Sequence, residues 1–296
     1  MLLELNRPKE FNMSYGRHQS FYLKEHWITK GLKSFNNTNS SLYRVNGYLD
    51  LGIGKNMQQS LRFWMESSFM VRTEQDSIRL TNLGDEILKN DIGCLTNTSR
   101  NIIHYFLASD IEKKEDNADS IIWFFNSLQE RTFSKDYLLS ELVLFSEGKI
   151  SENTLKRDID CLISLYVSKE KANPEDRNIS LLADLGLIQR KDKDIYSKAR
   201  IRRDKLSFSA LYFILLHQNS INNSFLTIES QIQNKNGIGK IFNLNRVELI
   251  EIFEQMKNEG FNIDITRTNN LDTINLGKSN LNEFFSSKLW RVENEK

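Results

Sequence analysis

The stretch RHQSFYLKEHWITKGL, Arg17 to Leu32, gathers His18, Lys24, His26, Trp27 and Lys30. Imidazoles and ammonium groups so close together can hold a phosphate, ligate a metal or move a proton. His18 and His26 are too far apart for one helical turn, so they do not make a paired metal site on a helix. Two readings stand. Phe21, Trp27 and Ile28 pack on a core while the lysines are solvated, or His18, Lys24 and Lys30 converge with Lys55 on a phosphate.

Other candidate chemistry is weaker. Gly52-Ile53-Gly54-Lys55 invites a phosphate-loop reading, but the glycine spacing is wrong and Asn56 stands where Ser or Thr is needed. Glu147-Gly148-Lys149, with Asp136 upstream, mimics a nuclease carboxylate–lysine pattern that chance supplies in so charged a chain. His104 and His217 are isolated, which suits structural roles. No catalytic residue and no metal ligand is assigned from the sequence.

The elements that must carry these residues follow one plan, repeated three times: a helix, a short apolar run, then a polar hairpin. In the first copy Met57, Leu61, Trp64 and Met65 define a buried helix face, FMVR and SIRLT read as strands, and Thr81 caps the next helix. In the second, Ser134 and Ser151 cap two helices, and Leu155, Ile159, Leu162 and Tyr166 face inward. A basic hairpin runs from Leu185 to Phe208, with Lys198, Arg200 and Arg202 on it. In the third, Asn245 caps a helix, Gly260 ends it, and Phe261, Ile263 and Ile265 alternate as a strand before a turn at Asn269-Asn270. Helix, turn, helix and hairpin outline a winged helix. The fold class expected is mainly α (α+β), with multiple winged-helix-like units and short β-hairpin wings. The boundaries expected are 1–95, a lead-in plus the first unit; 96–206, a helical linker plus the second; and 207–296, the third.

Such units bind DNA through the start of the second helix and through the wing. The outer face of the first helix carries Lys55, Asn56, Gln58, Gln59 and Arg62, and that of the second Thr154, Lys156 and Arg157. Asn and Gln can read adenine, Arg guanine or phosphate. The competing use of the same unit is protein–protein contact. Trp27, Trp64, Trp123 and Trp290 suit the core better than base stacking.

The totals bound the rest. The 296 residues carry 40 Lys+Arg against 39 Asp+Glu, a net charge of +1, so any nucleic-acid surface is a local pattern. Two prolines favour long helices, and two lone cysteines, Cys94 and Cys161, fit a reducing cytosol. No apolar run is long enough for a membrane span. A cytoplasmic protein of two or three small domains, each with its own core, is expected.

Several blocks resemble the SspB-type family of DUF4007 proteins, found in DNA phosphorothioation and phage-defence gene clusters. Arg17-His18-Gln19-Ser20-Phe21 is similar to its Gly-His-Glu-Ser/Thr-Phe start, and Trp27-Ile28-Thr29-Lys30-Gly31 to its Trp-Leu-Lys-Lys-Gly run. Gly52–Met57 and Leu61–Trp64 resemble its Gly-Val-Gly-Lys-Asn-Met and Ile-Arg-Tyr-Trp, and Thr154-Leu155-Lys156-Arg157-Asp158 matches outright. Leu185-Gly186-Leu187 and GKIFNL also correspond, so the resemblance runs from about Tyr15 to about Leu276. It implies work on duplex DNA in a phosphorothioation or related system, with single-strand nicking in a named member and a divalent metal if this chain nicks. It also implies cysteine desulfurase, ATPase and sulfur-transfer (sulfotransfer) partners from the same gene cluster. Gln19 replaces the family's Glu. The rival readings are a non-catalytic adaptor that recruits such partners to DNA, and a transcription regulator.

Overall fold

Side-chain caps fix where many of the helices start. In the computed structural model, hydroxyl or amide oxygens of Thr81, Thr96, Ser134, Ser151, Thr227 and Asn245 each accept a backbone N–H of the helix they precede. The structure describes residues 14–36, 39–74, 77–112, 116–168, 179–222, 226–268 and 271–277, with positions 281, 284 and 289. Trp290 and the Asn269-Asn270 turn lie outside them. The fold is mixed α+β, mostly helix with small antiparallel sheets.

The first segment holds α1 (Trp27–Lys33), the short pair β1 (Phe35–Asn36) and β2 (Asn39–Ser40), α2 (Gly47–Asp50) and α3 (Lys55–Ser67). A hairpin of β3 (Val71–Glu74) and β4 (Ser77–Leu80) follows, then α4 (Asn82–Asn90). After α5 (Asn97–Leu107) comes the second segment: α6 (Asp119–Asn126), β5 (Thr132–Ser134), α7 (Lys135–Phe145), α8 (Glu152–Tyr166), β6 (Ile188–Asp192) and β7 (Ile195–Lys198). The third repeats that order with α9 (Phe208–Asn222), β8 (Leu226–Thr227), α10 (Ile228–Gln233), a short α11 (Ile238–Ile241), α12 (Arg246–Asn258), β9 (Ile263–Thr268) and β10 (Leu271–Leu276). In both later segments the strand before the second helix pairs with the last strand, giving orders β5-β7-β6 and β8-β10-β9. In the first segment β1 pairs with β2 instead, and the hairpin stands alone.

Buried apolar side chains from Tyr15 to Leu289 form one continuous cluster. The joints are α5 and α6. Ile102, Ile103, Tyr105, Phe106 and Leu107 on one and Ile121, Ile122, Trp123, Phe124 and Phe125 on the other are buried around most of each helix. A helix apolar on all sides must be covered on all sides, and α5 packs on α9 while α6 packs on α8 and α11. His104 of α5 sits at the meeting point. Its Nδ1 lies 2.8 Å from the Tyr166 hydroxyl of α8, and its Nε2 lies 2.9 Å from the Ile241 carbonyl of α11. No helix among the described residues is long and apolar enough to cross a membrane.

Candidate nucleic-acid interface

Helix α3 is buried on nearly every side. Ser60, Leu61, Phe63, Trp64, Met65 and Ser67 are inside, and Lys55, Asn56 and Gln59 are exposed along one narrow stripe with Arg62 and Glu66 half-buried. Met57 is half-buried, whereas Trp64 is 1% exposed and faces the core as its spacing predicts. Gln58 does not lie on the outer face. It is 2% exposed, and its Nε2 donates to the carbonyls of Leu42 and Arg44. Arg62 is committed to the same two carbonyls, through Nε to Leu42 and Nη2 to Arg44, with its guanidinium 5.4 Å from the Tyr43 ring centre. Without these four donations the Arg44 carbonyl would keep only the Gly47 N–H at 3.1 Å, so Arg62 pins the turn beside α3.

The start of α3 is open. Its N-cap is Gly54, in extended conformation, with no side-chain cap. A Cβ placed on Gly54 would meet nothing within 4 Å, so nothing within the described structure requires glycine there. The same tetrapeptide recurs as Gly237-Ile238-Gly239-Lys240, where both glycines are required: a Cβ would press on the Gln231 carbonyl oxygen at 2.3 and 2.8 Å. Lys55, Asn56 and Gln59 have no hydrogen-bond or ion-pair partner among the described residues.

Helix α8 divides into three faces. Leu155, Ile159, Leu162 and Tyr166 are buried as expected. Lys156 and Arg157 are exposed; Arg157 bonds only within its own helix, to the Asn153 carbonyl at 3.3 Å and the Thr154 hydroxyl at 3.5 Å. The third face is covered by the lead-in segment from Ser14 to Ser20. Gly16 N–H donates to Asp158 Oδ2 at 2.9 Å, His18 Nε2 lies 3.0 Å from Asp158 Oδ1, and Thr154 touches Gly16 and is half-buried. His18 is 3% exposed, stacked 6.3 Å from Trp64 and edge-on to Phe63. It therefore buckles α3 to α8 and is closed to a phosphate. Arg17 continues the strap by pairing with Asp116 at 2.9 Å.

The convergence of His18, Lys24 and Lys30 with Lys55 on a phosphate is not formed. Lys30 Nζ donates to the Leu51 carbonyl at 2.9 Å, and Lys24 lies over the rings of Tyr22 and Trp27. Arg200 and Arg202 lie beyond the hairpin, whose last strand β7 ends at Lys198, and pair with Glu248 at 2.6 Å and Asp204 at 2.7 Å respectively. Lys198 is turned inward, donating to the Phe124 and Leu128 carbonyls at 2.6 and 2.7 Å, and burial pushes its ammonium down to about 7, helped by Lys240 and Arg131. Glu147 and Lys149 pair with each other in solvent at 2.9 Å. Among the described residues no three His, Cys, Asp or Glu side chains converge to hold a metal ion. The sequence reading missed Asp158 as the anchor of the strap. Its one signal was that His18 and Asp158 both fall within the family-like blocks.

Residues 15–288 match the family described as protein of unknown function (DUF4007). The chain belongs to the DUF4007 family. No curated protein matches it. Among solved structures it is similar to a magnesium ion-bound SspB crystal structure, with a TM-score of 0.78 and 17% identity over 88% of this chain and 82% of that one. A second SspB crystal structure gives 0.75 and 16% over the same shares. This DUF4007 chain thus shares the SspB fold.

Proposed function

We propose that this DUF4007 chain binds duplex DNA within a phosphorothioation-type defence system, using its first two segments as winged-helix units. The observation that carries the reading is the start of α3, where Gly54, Lys55, Asn56 and Gln59 present an uncapped, uncrowded helix end beside unpaired cationic and amide side chains. Helix N–H groups and the dipole favour a phosphate there, and Lys156 and Arg157 offer a second contact on α8. Likeness to SspB supplies the phosphorothioation context. Plasmid relaxation with and without a divalent metal tests nicking separately.

The DNA reading has a direct test. Neutralising several phosphates releases counterions, so affinity for a duplex is expected to fall by orders of magnitude between about 50 and 200 mM salt. Salt-insensitive binding, or none at low salt, sinks it. Alanine at both Lys156 and Arg157 is expected to flatten the salt slope by roughly two phosphates' worth, with the melting temperature unchanged.

Gly54→Ser separates a ligand-facing glycine from a structural one. A serine cap should leave the helix as stable or a few tenths of a kcal/mol more so. It would also occupy the N–H groups a phosphate needs. Losing one charge-assisted bond corresponds to about tenfold in DNA affinity. A variant that is destabilised, or that binds DNA like the parent, refutes this role.

The adaptor reading has one observation of its own. Helix α12 is the third segment's counterpart of α3 and α8, yet it exposes Val247, Glu251, Glu254 and Asn258 along one stripe. Carboxylates there repel phosphate. The third unit is thus better suited to a protein partner, such as a desulfurase, ATPase or sulfur-transfer protein, than to DNA.

A further inference from the structure

The turn between β2 and α3 carries two apolar side chains far out in solvent: Val45 is 87% exposed and Leu49 68%. Exposed aliphatic groups on a loose loop need no explanation, but this turn is braced from three directions. Gln58 and Arg62 of α3 hold its Leu42 and Arg44 carbonyls, and Lys30 of α1 holds the Leu51 carbonyl. Arg44 closes it by pairing with Asp50 at 2.6 Å. At its centre Gly47 lies so close to the 3-10 turn before it that a Cβ would fall 1.6 Å from the Ser41 carbonyl oxygen, so only glycine fits. The result is a rigid knuckle whose tip is apolar. It feeds straight into the start of α3: Gly52 N–H bonds to the Leu49 carbonyl and Ile53 N–H to the Tyr48 carbonyl, and Lys55 opens the helix.

We propose that Val45 and Leu49 act as a wedge that enters the DNA stack beside the phosphate held at α3, unstacking a base step. The inference rests on the DNA reading above. DNA-bending proteins use apolar side chains in this way, trading stacking energy for a kink that brings more surface into contact. A wedge must be stiff, because a flexible apolar tip would fold back instead of forcing neighbouring bases apart, and the bracing supplies that stiffness. Two side chains fall far short of the roughly 800 Å² per partner that a stable protein interface buries, which argues against a protein docking site here. The flanking Lys55, Asn56 and Gln59 are cationic or amide groups, which suit the rim of a contact with a polyanion, while the charge of Arg44 is balanced by Asp50.

Permanganate oxidises thymines that have lost stacking, so it finds a wedge site without knowledge of the DNA sequence preferred. On a mixed-sequence duplex saturated with the full chain, one or a few thymines are expected to become hyper-reactive by about fivefold or more, as an unstacked step allows. The doubly substituted Val45→Ala, Leu49→Ala chain, added to saturation and melting at the parent temperature, should return them to within about twofold of free DNA. Lys55→Ala, brought to the same saturation, should keep the hyper-reactivity while needing more protein. Saturated binding by the parent with no reactive thymine, or unchanged reactivity with the double variant, overturns the wedge and leaves DNA binding standing. Failure of the parent to bind any duplex at low salt overturns the DNA reading itself and the wedge with it.

Discussion

Trp64→Ala is expected to lower the stability of the chain by about 3–5 kcal/mol, the range for emptying a buried aromatic site. Three losses combine. The indole is 1% exposed, lies 4.9 Å edge-on from Phe63 and stacks on His18, so its removal leaves a cavity where α3 meets the strap. Its Nε1 donates to the Phe21 carbonyl at 2.9 Å, and that oxygen would be left with only the longer Ser60 hydroxyl contact at 3.3 Å. His18 would also lose one wall of the packing that holds it against Asp158. Lys55→Ala, nine residues earlier on the exposed stripe, should stay within about half a kcal/mol of the parent while DNA affinity falls. Urea unfolding of both variants, with duplex titrations alongside, checks the pair. A folded, merely binding-defective Trp64→Ala beside a Lys55→Ala that binds like the parent would mean the two faces of α3 are reversed.

That contrast also marks how far the sequence is legible. Helix starts could be read because a cap is a local bond: Thr81, Ser134, Ser151 and Asn245 each accept the N–H three residues on. Hairpins could be read for the same reason, and Val71–Glu74 pairs with Ser77–Leu80 across a short turn. The buried faces of α3 and α8 follow from a periodicity that the core enforces. Polar side chains are different. Gln58, Arg62, Lys30 and Lys198 all look like surface groups, yet each donates to backbone carbonyls. Nothing in the local pattern says which distant carbonyls lack partners, and a long side chain with a donor at its tip is the means of supplying one. The strap shows the same limit at longer range. Gly16 and His18 lie 142 and 140 positions from Asp158 in sequence, and only the closed core brings them together. Conversely, Gly54 is informative because the fold leaves it unexplained, whereas its repeat at Gly237 and Gly239 is fully accounted for by packing.

Acid should loosen the molecule at His104. Burial pushes its imidazole down from the ordinary 6.5 to about 4, against a smaller opposing effect of the Ile241 carbonyl. The neutral ring fits its partners, with Nε2–H donating to the carbonyl and Nδ1 accepting from the Tyr166 hydroxyl. Above pH 6.5 the ring is neutral folded or unfolded. Between 6.5 and 4 the unfolded chain takes up a proton that the folded chain refuses, so stability is full above 6.5, is lost progressively as pH falls towards 4, and falls no further from this cause below 4. A displacement of that size corresponds to about 3 kcal/mol at its limit, read from urea midpoints at pH 7, 5.5 and 4.5. Carboxylates held below the usual carboxylate range, such as Asp264 beside Lys257, push in the same direction, so His104→Gln provides the comparison. That variant should be weaker at pH 7, because the ring packs edge-on against Phe125, Tyr166 and Phe242 where α5, α8 and α11 meet. Its further loss on acidification should be much smaller than the parent's. An equal loss in both chains would place the acid sensitivity in the carboxylates and remove His104 from it.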